Sequence, residues 1–304
     1  MRRKFLNKYF AIIAIIIINL VLLTNFSSFS QVEGKQYKDN LKIIQFTDTH
    51  IDTKTPILRS RMYPESSNLL RAAVDQANSI NDVDIVIFSG DLVNRPDKTD
   101  LFNFIKIANK LKQKWIAVAG NHDIGISGGL SKSEFMKILS SHNLNINNDK
   151  PYYVFVPKKG YVIICLDGVI DSTITANGMF DDEELKWLDK TLSEYNDSKA
   201  ILVQHFPIVE PSHSISHRVL NSDKYMAVVK KHPNVIAILS GHYHMAKITK
   251  IGNIVHVSTP SLIEYPNAFR VINFSDNGKK IEVKTEIIET SLKDLQEKSK
   301  SLSK

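Results

Sequence analysis

Short apolar runs that alternate with amphipathic stretches constrain this chain more than any other feature. LKIIQF (41–46), VDIVIFS (83–89), WIAVAG (115–120), AILVQ (200–204) and VIAILS (235–240) are β-rich and largely apolar on consecutive residues. Runs of that kind mark strands buried on both faces, which occur where helices cover a sheet. Between them, 65–80, 98–111, 131–141, 181–195 and 222–231 read as helices. The clearest is DDEELKWLDKTLSEY (181–195), with acids in its first turn where the helix dipole favours them. Residues 152–156 and 161–166 are two further β-rich runs around a turn at 157–160. After 246 the signal changes to strands alone: AKITKIG, NIVHVS, FRVINF and KIEVKTEII. The order predicts a layered α/β sandwich with mixed sheets, built as one domain over 41–290. Residues 291–304 read as a polar Lys- and Ser-rich C-terminal tail, frayed or helical.

The residues that follow these strands share one chemical theme. LKIIQF is followed by Thr47-Asp48-Thr49-His50, VIFS by Gly90-Asp91 and IAVA by Gly120-Asn121-His122-Asp123. ILVQ is followed by His205-Phe206-Pro207, and AILS by Gly241-His242-Tyr243-His244. Functional groups collect past the carboxyl ends of strands in such folds. A single Gly-Asp is most simply a turn, and a single His a structural or exposed residue. Five strand ends in succession that all offer oxygen or imidazole donors point to a metal site. Asp48 and His50, two apart, are expected to project to one side of an extended segment, and His242 and His244 likewise. The donor set lacks thiolates, which suits Mn, Fe, Zn or Mg. Seven candidate ligands exceed the needs of one ion. Two ions about 3.5–4 Å apart sharing a carboxylate account for the number, and such a pair suits in-line displacement at phosphorus.

Charge placement narrows the partners. The formal net charge is +7, of which Arg2, Arg3, Lys4 and Lys8 carry +4 within residues 1–30. Residues 293–304 carry four Lys against Asp294 and Glu297, so +2, which leaves +1 for 31–292. A nearly neutral body argues against nucleic acid as a partner. The basic start, the apolar run Phe10–Leu23 and the polar TNFSSFSQ have the order of an export signal. The run is shorter than the roughly 20 apolar residues of a membrane-spanning helix. Residues 1–30 are read as a signal peptide or an N-terminal membrane anchor, the only expected contact with a membrane, with the rest exported. Cys165 has no partner for an intrachain disulfide.

The ordered set Asp-x-His, Gly-Asp, Gly-Asn-His-Asp, His and Gly-His-x-His resembles the motif series of the calcineurin-like metallophosphoesterases, over about residues 41–275. FTDTH, GNHD, GMFDDEELKWLDKTL and GHYH are most similar to bacterial class III cyclic-nucleotide phosphodiesterases. The resemblance implies a four-layer αββα sandwich with two mixed central β-sheets. It implies Asp48, His50, Asp91 and His244 as ligands of one metal ion. It implies Asp91, Asn121, His205 and His242 as ligands of a second, with Asp91 as the bridge. His122 matches the family's catalytic histidine, which protonates the leaving oxygen or binds a phosphate oxygen. Asp123 is its neighbour, expected to orient it or raise its pKa. The implied reaction is phosphoester hydrolysis by a hydroxide bridging two divalent or trivalent ions. The implied substrate is a small phosphoester, cyclic nucleotide first. An exported phosphomonoesterase or nucleotidase is the alternative, because cyclic nucleotides are made in the cytoplasm. A metal-free interaction scaffold would be expected to lose ligands, and none is lost.

Three residues are further candidates for substrate contact: His213 and His217 in the loop after His205, and Asn177, beside Gly178, ahead of the helix at 181. His142, His232 and His256 match no motif and read as structural. Trp115 and Trp187 read as core, and Asp167-Gly168 as a turn.

Overall fold

A computed structural model describes residues 40–303 apart from positions 53, 127, 147–149 and 279. The export segment lies outside the described residues. In chain order the elements are β1 (Asn40–Phe46), α1 (Ser66–Ala77), β2 (Ile85–Ser89), α2 (Lys98–Ala108), β3 (Trp115–Val118) and α3 (Lys132–His142). They continue with β4 (Tyr153–Phe155), β5 (Tyr161–Cys165), α4 (Asp182–Glu194), β6 (Lys199–Val203), α5 (Ser222–Val229) and β7 (Val235–Ser240). The last are β8 (Lys247–Ile251), β9 (Ile254–Ser258), β10 (Ala268–Asp276), β11 (Ile281–Glu289) and α6 (Lys293–Leu302). Helix starts follow local chemistry. Asp97 accepts from two N–H groups of the first turn of α2, Ser131 and Glu134 form a capping box on α3, and Asp181 caps α4.

The strands form two sheets, in the orders β11-β10-β1-β2-β3 and β4-β5-β6-β7-β9-β8. In the first, β1, β2 and β3 run parallel, while β10 pairs antiparallel with both β1 and β11. In the second, β5, β6, β7 and β9 run parallel between antiparallel edges β4 and β8. Both sheets are mixed and flanked by helices, as the resemblance implies. Every residue of β2, β3, β5 and β7 is buried, which is why these runs are apolar without alternation. Aromatic rings fill the interior: Phe46 stacks on Phe88 at 5.2 Å, and Phe88 meets Trp115 edge-on at 5.6 Å. Trp187 packs on Tyr152 at 4.8 Å, so both tryptophans are structural.

A buried polar strip joins the sheets beneath the strand ends. Gln45 Nε2 donates to Ser89 Oγ at 2.8 Å and to the Ser240 carbonyl, on the other sheet, at 3.0 Å. Thr259 Oγ1 donates to Gln45 Oε1 at 2.7 Å, and Arg270 reaches from β10 to the Ser258 carbonyl at 3.1 Å.

The C-terminal tail is a docked helix. Ser299 Oγ donates to the Ser60 carbonyl at 2.7 Å and accepts from Tyr265 N at 2.8 Å, and Gln296 donates to the Pro266 carbonyl. Asp167-Gly168 does turn, with Gly168 at φ +66°, but Asp167 also pairs with Lys132 at 2.6 Å. Its N–H donates to Glu184, which burial and Asp167 push up to about 8. Among the described residues no helix is long and apolar enough to cross a membrane.

Replacing Gln45 by Met keeps the volume, removes three buried hydrogen bonds that reach both sheets and leaves the Thr259 hydroxyl without its acceptor. The expected cost is about 2 kcal/mol, read as a lower urea midpoint at unchanged m-value. An unchanged midpoint would mean that the strip does not hold the sheets together.

Candidate metal centre

The donors sit where β1, β2, β3, β6 and β7 end, and their backbones are unusual. Asp48, His50, Asp91, His242 and His244 have φ of 52°, 43°, 51°, 73° and 56°. A non-glycine residue in this left-handed region carries about 1 kcal/mol or more of strain. Hydrogen bonds between neighbouring strand ends hold it: Asp48 N donates to Gly90 O at 3.0 Å and His50 N to Asp91 O at 3.0 Å. The expectation of an extended Asp48–His50 segment is therefore corrected. Left-handed turns aim the side chains, and His242 and His244 turn to different clusters for the same reason.

The motif glycines are explained by close approach. A Cβ on Gly120 would occupy the place of the Asp91 carboxylate, and one on Gly241 would collide with Thr47 and Asp48.

Each carboxylate has one oxygen fixed by the protein and one left facing imidazoles. Asp48 Oδ2 accepts from Thr47 Oγ1 at 2.7 Å and from His242 N at 3.0 Å. Its Oδ1 lies 3.2 Å from His244 Nε2 and 3.8 Å from His50 Nε2. Asp91 Oδ1 accepts from His122 N at 2.9 Å. Asp91 Oδ2 faces both sides, 3.6 Å from His50 Nε2 and 3.2 Å from His205 Nε2. His205 Nε2 lies 3.2 Å from His242 Nδ1. Asp48, His50 and His244 thus form one cluster and Asp91, His205 and His242 another, all six at most 8% exposed.

These residues fit two cations. Asp48 Oδ1 and Asn121 Oδ1 are buried with no hydrogen-bond partner. Two pairs of ring nitrogens, His50 with His244 and His205 with His242, face each other at 3.2 Å. Bonds of about 2.1 Å to a shared ion put neighbouring ligands about 3.0–3.5 Å apart, the spacing found. Two of the four outer nitrogens are held as metal-bound imidazoles require: His244 Nδ1 meets Glu264 Oε1 at 2.8 Å and His205 Nδ1 meets the Ser89 carbonyl at 2.9 Å, while His50 Nδ1 and His242 Nε2 are buried without a partner.

Without ions the site balances its charge with protons. Burial opposes charge on Asp48 and Asp91, yet nearby imidazoles, His244 and His205 foremost, hold both carboxyls below the usual range. Burial also opposes the imidazolium forms of His205 and His244, but Asp91 beside the first and Asp48 beside the second raise each to about 9. Burial drives His50 well down, and burial with the His205 charge takes His242 down to about 3.

His122 is half-buried and edge-on to His50 at 4.7 Å. Its Nδ1 donates to the Asn94 carbonyl at 2.8 Å. Asp123 does not orient His122, contrary to expectation. Its two oxygens are taken by Val93 N at 3.0 Å and Gly120 N at 2.8 Å. Burial and Asp91 push Asp123 up to about 8, so a neutral carboxyl braces the turn that carries Asn121 and His122.

The loop candidates divide. The His217 ring packs on His242 at 5.2 Å, at the rim of the second cluster. His213 is 85% exposed and faces Glu210, because its segment turns outward. Asn177 Oδ1 accepts from Arg218 N at 3.0 Å and ties two loops together. His232 pairs with Asp189 at 2.6 Å, His142 folds back on Ile138 O at 2.9 Å, and His256 is buried in β9. Glu264 and the Asn94 carbonyl were not foreseen. Glu264 lies 20 residues past His244 in no motif, and a backbone acceptor leaves no mark in sequence.

Paired carboxylate–imidazole clusters across two mixed sheets define a metal-dependent phosphoester hydrolase. The sequence matches the calcineurin-like phosphoesterase family over residues 41–246, and the chain belongs to that family. A probable cyclic nucleotide phosphodiesterase of Moraxella catarrhalis is 32% identical over 169 residues, 53% of this chain and 58% of that protein. A probable glycerophosphodiester phosphodiesterase of Arcobacter nitrofigilis is 23% identical across 72% of this chain and 77% of its own length. A dimetal phosphatase from Danio rerio superposes with a TM-score of 0.61 at 17% identity, covering 83% of this chain and 99% of that one, a likeness of fold.

Gly120→Ala, which touches no donor chemically, is expected to lower metal content as Asp91→Asn does. Elemental analysis of the folded protein checks this, and full loading would refute the steric account. Loading the metal-free protein near pH 7 is expected to release the two protons held by His205 and His244 in addition to any lost by metal-bound water, and the histidine share is expected to vanish above about pH 10. Calorimetry in buffers of different ionisation enthalpy measures it, and zero release at pH 7 would contradict the charge assignment.

Proposed function

We propose that the chain hydrolyses small phosphodiesters, with a 3′,5′-cyclic nucleotide as the favoured substrate. The observation that carries this reading is the pairing of the two carboxylate–imidazole clusters with a further imidazole, His122, at their edge. A ring nitrogen of His122 lies within 4.8 Å of the donor atoms of His50 and Asp91. Two ions held by Asp48, His50, Asp91, Asn121, His205, His242 and His244 supply Lewis acidity toward phosphate oxygens and activate water. The Asn94 carbonyl fixes the His122 ring through Nδ1 and leaves Nε2 to protonate the departing oxygen. A sugar alkoxide is a poor leaving group, so its departure depends on that proton. The neutral amide of Asn121 suits a site that already holds two carboxylates. Relatives named as cyclic nucleotide and glycerophosphodiester phosphodiesterases support a diester.

The reading includes export through residues 1–30, supported by their basic, apolar and polar order. Export favours a second reading, a phosphomonoesterase or nucleotidase acting on small phosphoesters outside the cell.

A panel of 3′,5′-cyclic AMP, bis(p-nitrophenyl) phosphate and p-nitrophenyl phosphate, run on the metal-loaded full chain, separates the two. The diesters are expected to be cleaved faster, and hydrolysis of the monoester alone would select the second reading. His122→Ala is expected to keep its metals and lose about 10²–10⁴ in kcat on cyclic AMP. The loss should be far smaller on p-nitrophenyl esters, whose leaving group needs no proton. Equal losses on both would remove the acid role.

A further inference from the structure

We propose that the hollow beside His122 is the leaving-group subsite, shaped for an uncharged alcohol of nucleoside size and selecting against charged ones. The inference rests on the phosphodiesterase reading and specifies its substrate. The hollow, of about 560 Å³, lies between the turn after His122 and the loop that joins β5 to α4. Asn121 and His122 form one end of it, so it begins where the leaving oxygen departs. Pro96, Ile124, Ile126, Ile170 and Ile174 give it an apolar wall, and Thr173 and Thr175 supply hydroxyls. A volume in this range suits a drug- or nucleoside-sized group.

What the wall omits is as informative as what it contains. Among the described residues none that lines it is Lys, Arg, Asp or Glu, and none is Phe, Tyr or Trp. A second phosphate on the alcohol would enter without a cation to pair it. A quaternary ammonium would find neither a carboxylate nor an aromatic face. Charge is gathered elsewhere, where Arg59, Arg61 and Glu264 line a separate hollow of about 660 Å³. Ile174 is 92% and Ile126 40% exposed, apolar surface at the mouth of a polar centre that an uncharged ring or sugar would cover.

Both walls are held in place before any substrate arrives. Gly125 N donates to Leu130 O at 2.7 Å, and Leu130 N to Pro96 O at 3.1 Å, which pins the turn after His122. Lys132 holds the opposite loop through the Val169 carbonyl and the Asp167 carboxylate, each at 2.6 Å.

Ile126→Asp and Ile174→Asp place an acid in the mouth at exposed positions, where folding should be undisturbed. On the full chain, titration calorimetry of the metal-free protein with adenosine and with choline reads the subsite without turnover. The wild type is expected to bind adenosine over choline, and each variant to weaken adenosine at least tenfold. With metal loaded, kcat/KM for cyclic AMP over glycerophosphocholine should favour cyclic AMP and fall at least tenfold in the variants, mainly through KM, at unchanged metal content. Unchanged adenosine affinity, or a wild-type preference for choline or its ester, overturns the subsite. A wild type that cleaves only monoesters overturns the phosphodiesterase reading instead. The subsite is then decided by the adenosine titration and by adenosine 5′-monophosphate against phosphocholine as substrates.

Discussion

Two carboxylates and four imidazoles buried together are the constraint on which the rest of this structure depends. An unpaired charge in such a place costs several kcal/mol, so every oxygen and nitrogen there must be answered. The protein answers half of them itself. Thr47 and the His242 N–H take one oxygen of Asp48, and the His122 N–H takes one oxygen of Asp91. Asp48 Oδ1, Asp91 Oδ2 and one nitrogen of each imidazole face one another, and protons or cations satisfy them. Left-handed backbone at five donors is part of the same solution, because it turns successive side chains off the strand axis toward a common centre. Parallel strands on either side fix both ends of each turn, which is how the strain is sustained.

The centre also depends on the two sheets being in register with each other. One cluster takes Asp48 and His50 from the end of β1 and His244 from beyond β7. The other takes Asp91 from beyond β2 and His205 and His242 from the second sheet. Neither sheet alone holds a complete set of ligands. The strip through Gln45, Thr259 and Arg270 lies directly under these strand ends and crosses the same seam. Inter-sheet packing and donor spacing are therefore one geometric variable, and a shift of one sheet against the other would open both clusters together.

What was legible in the sequence was local. A strand covered on both faces must be apolar on every residue, and a donor placed just past it declares itself by contrast. That sufficed for the strand ends, the mixed sheets and the six carboxylates and imidazoles that the fold gathers. It failed where the outcome depends on backbone conformation or on distant partners. Asp48-x-His50 read as extended because spacing carries no φ, and Asp123 read as a partner of His122 because adjacency suggests contact. In fact Asp123 serves two backbone N–H groups, and a carbonyl 28 residues away orients His122. His213 and His217 were indistinguishable in a single loop, and only its course shows that His217 reaches the rim. The tail at 291–304 gave no sign of docking, since its partners are a backbone carbonyl at Ser60 and an N–H at Tyr265.

Charge placement ties substrate affinity to metal occupancy. Residues 31–292 carry a formal +1, so the body as a whole offers little attraction to a phosphoester. Near the centre the Arg61 guanidinium lies against Glu264, at 3.6 Å, and is partly neutralised there. Without metal, protons on His205 and His244 offset Asp48 and Asp91, and the site is close to neutral. Two divalent ions against two carboxylates, with neutral imidazoles, leave an excess of two positive charges in a nearly dry setting. Coulomb attraction is strong there because little water screens it. Anion binding and metal binding are then a single linked equilibrium. The uncharged hollow beside His122 can afford to carry no cation, because charge recognition is complete at the ions and only the shape of the alcohol remains to be read.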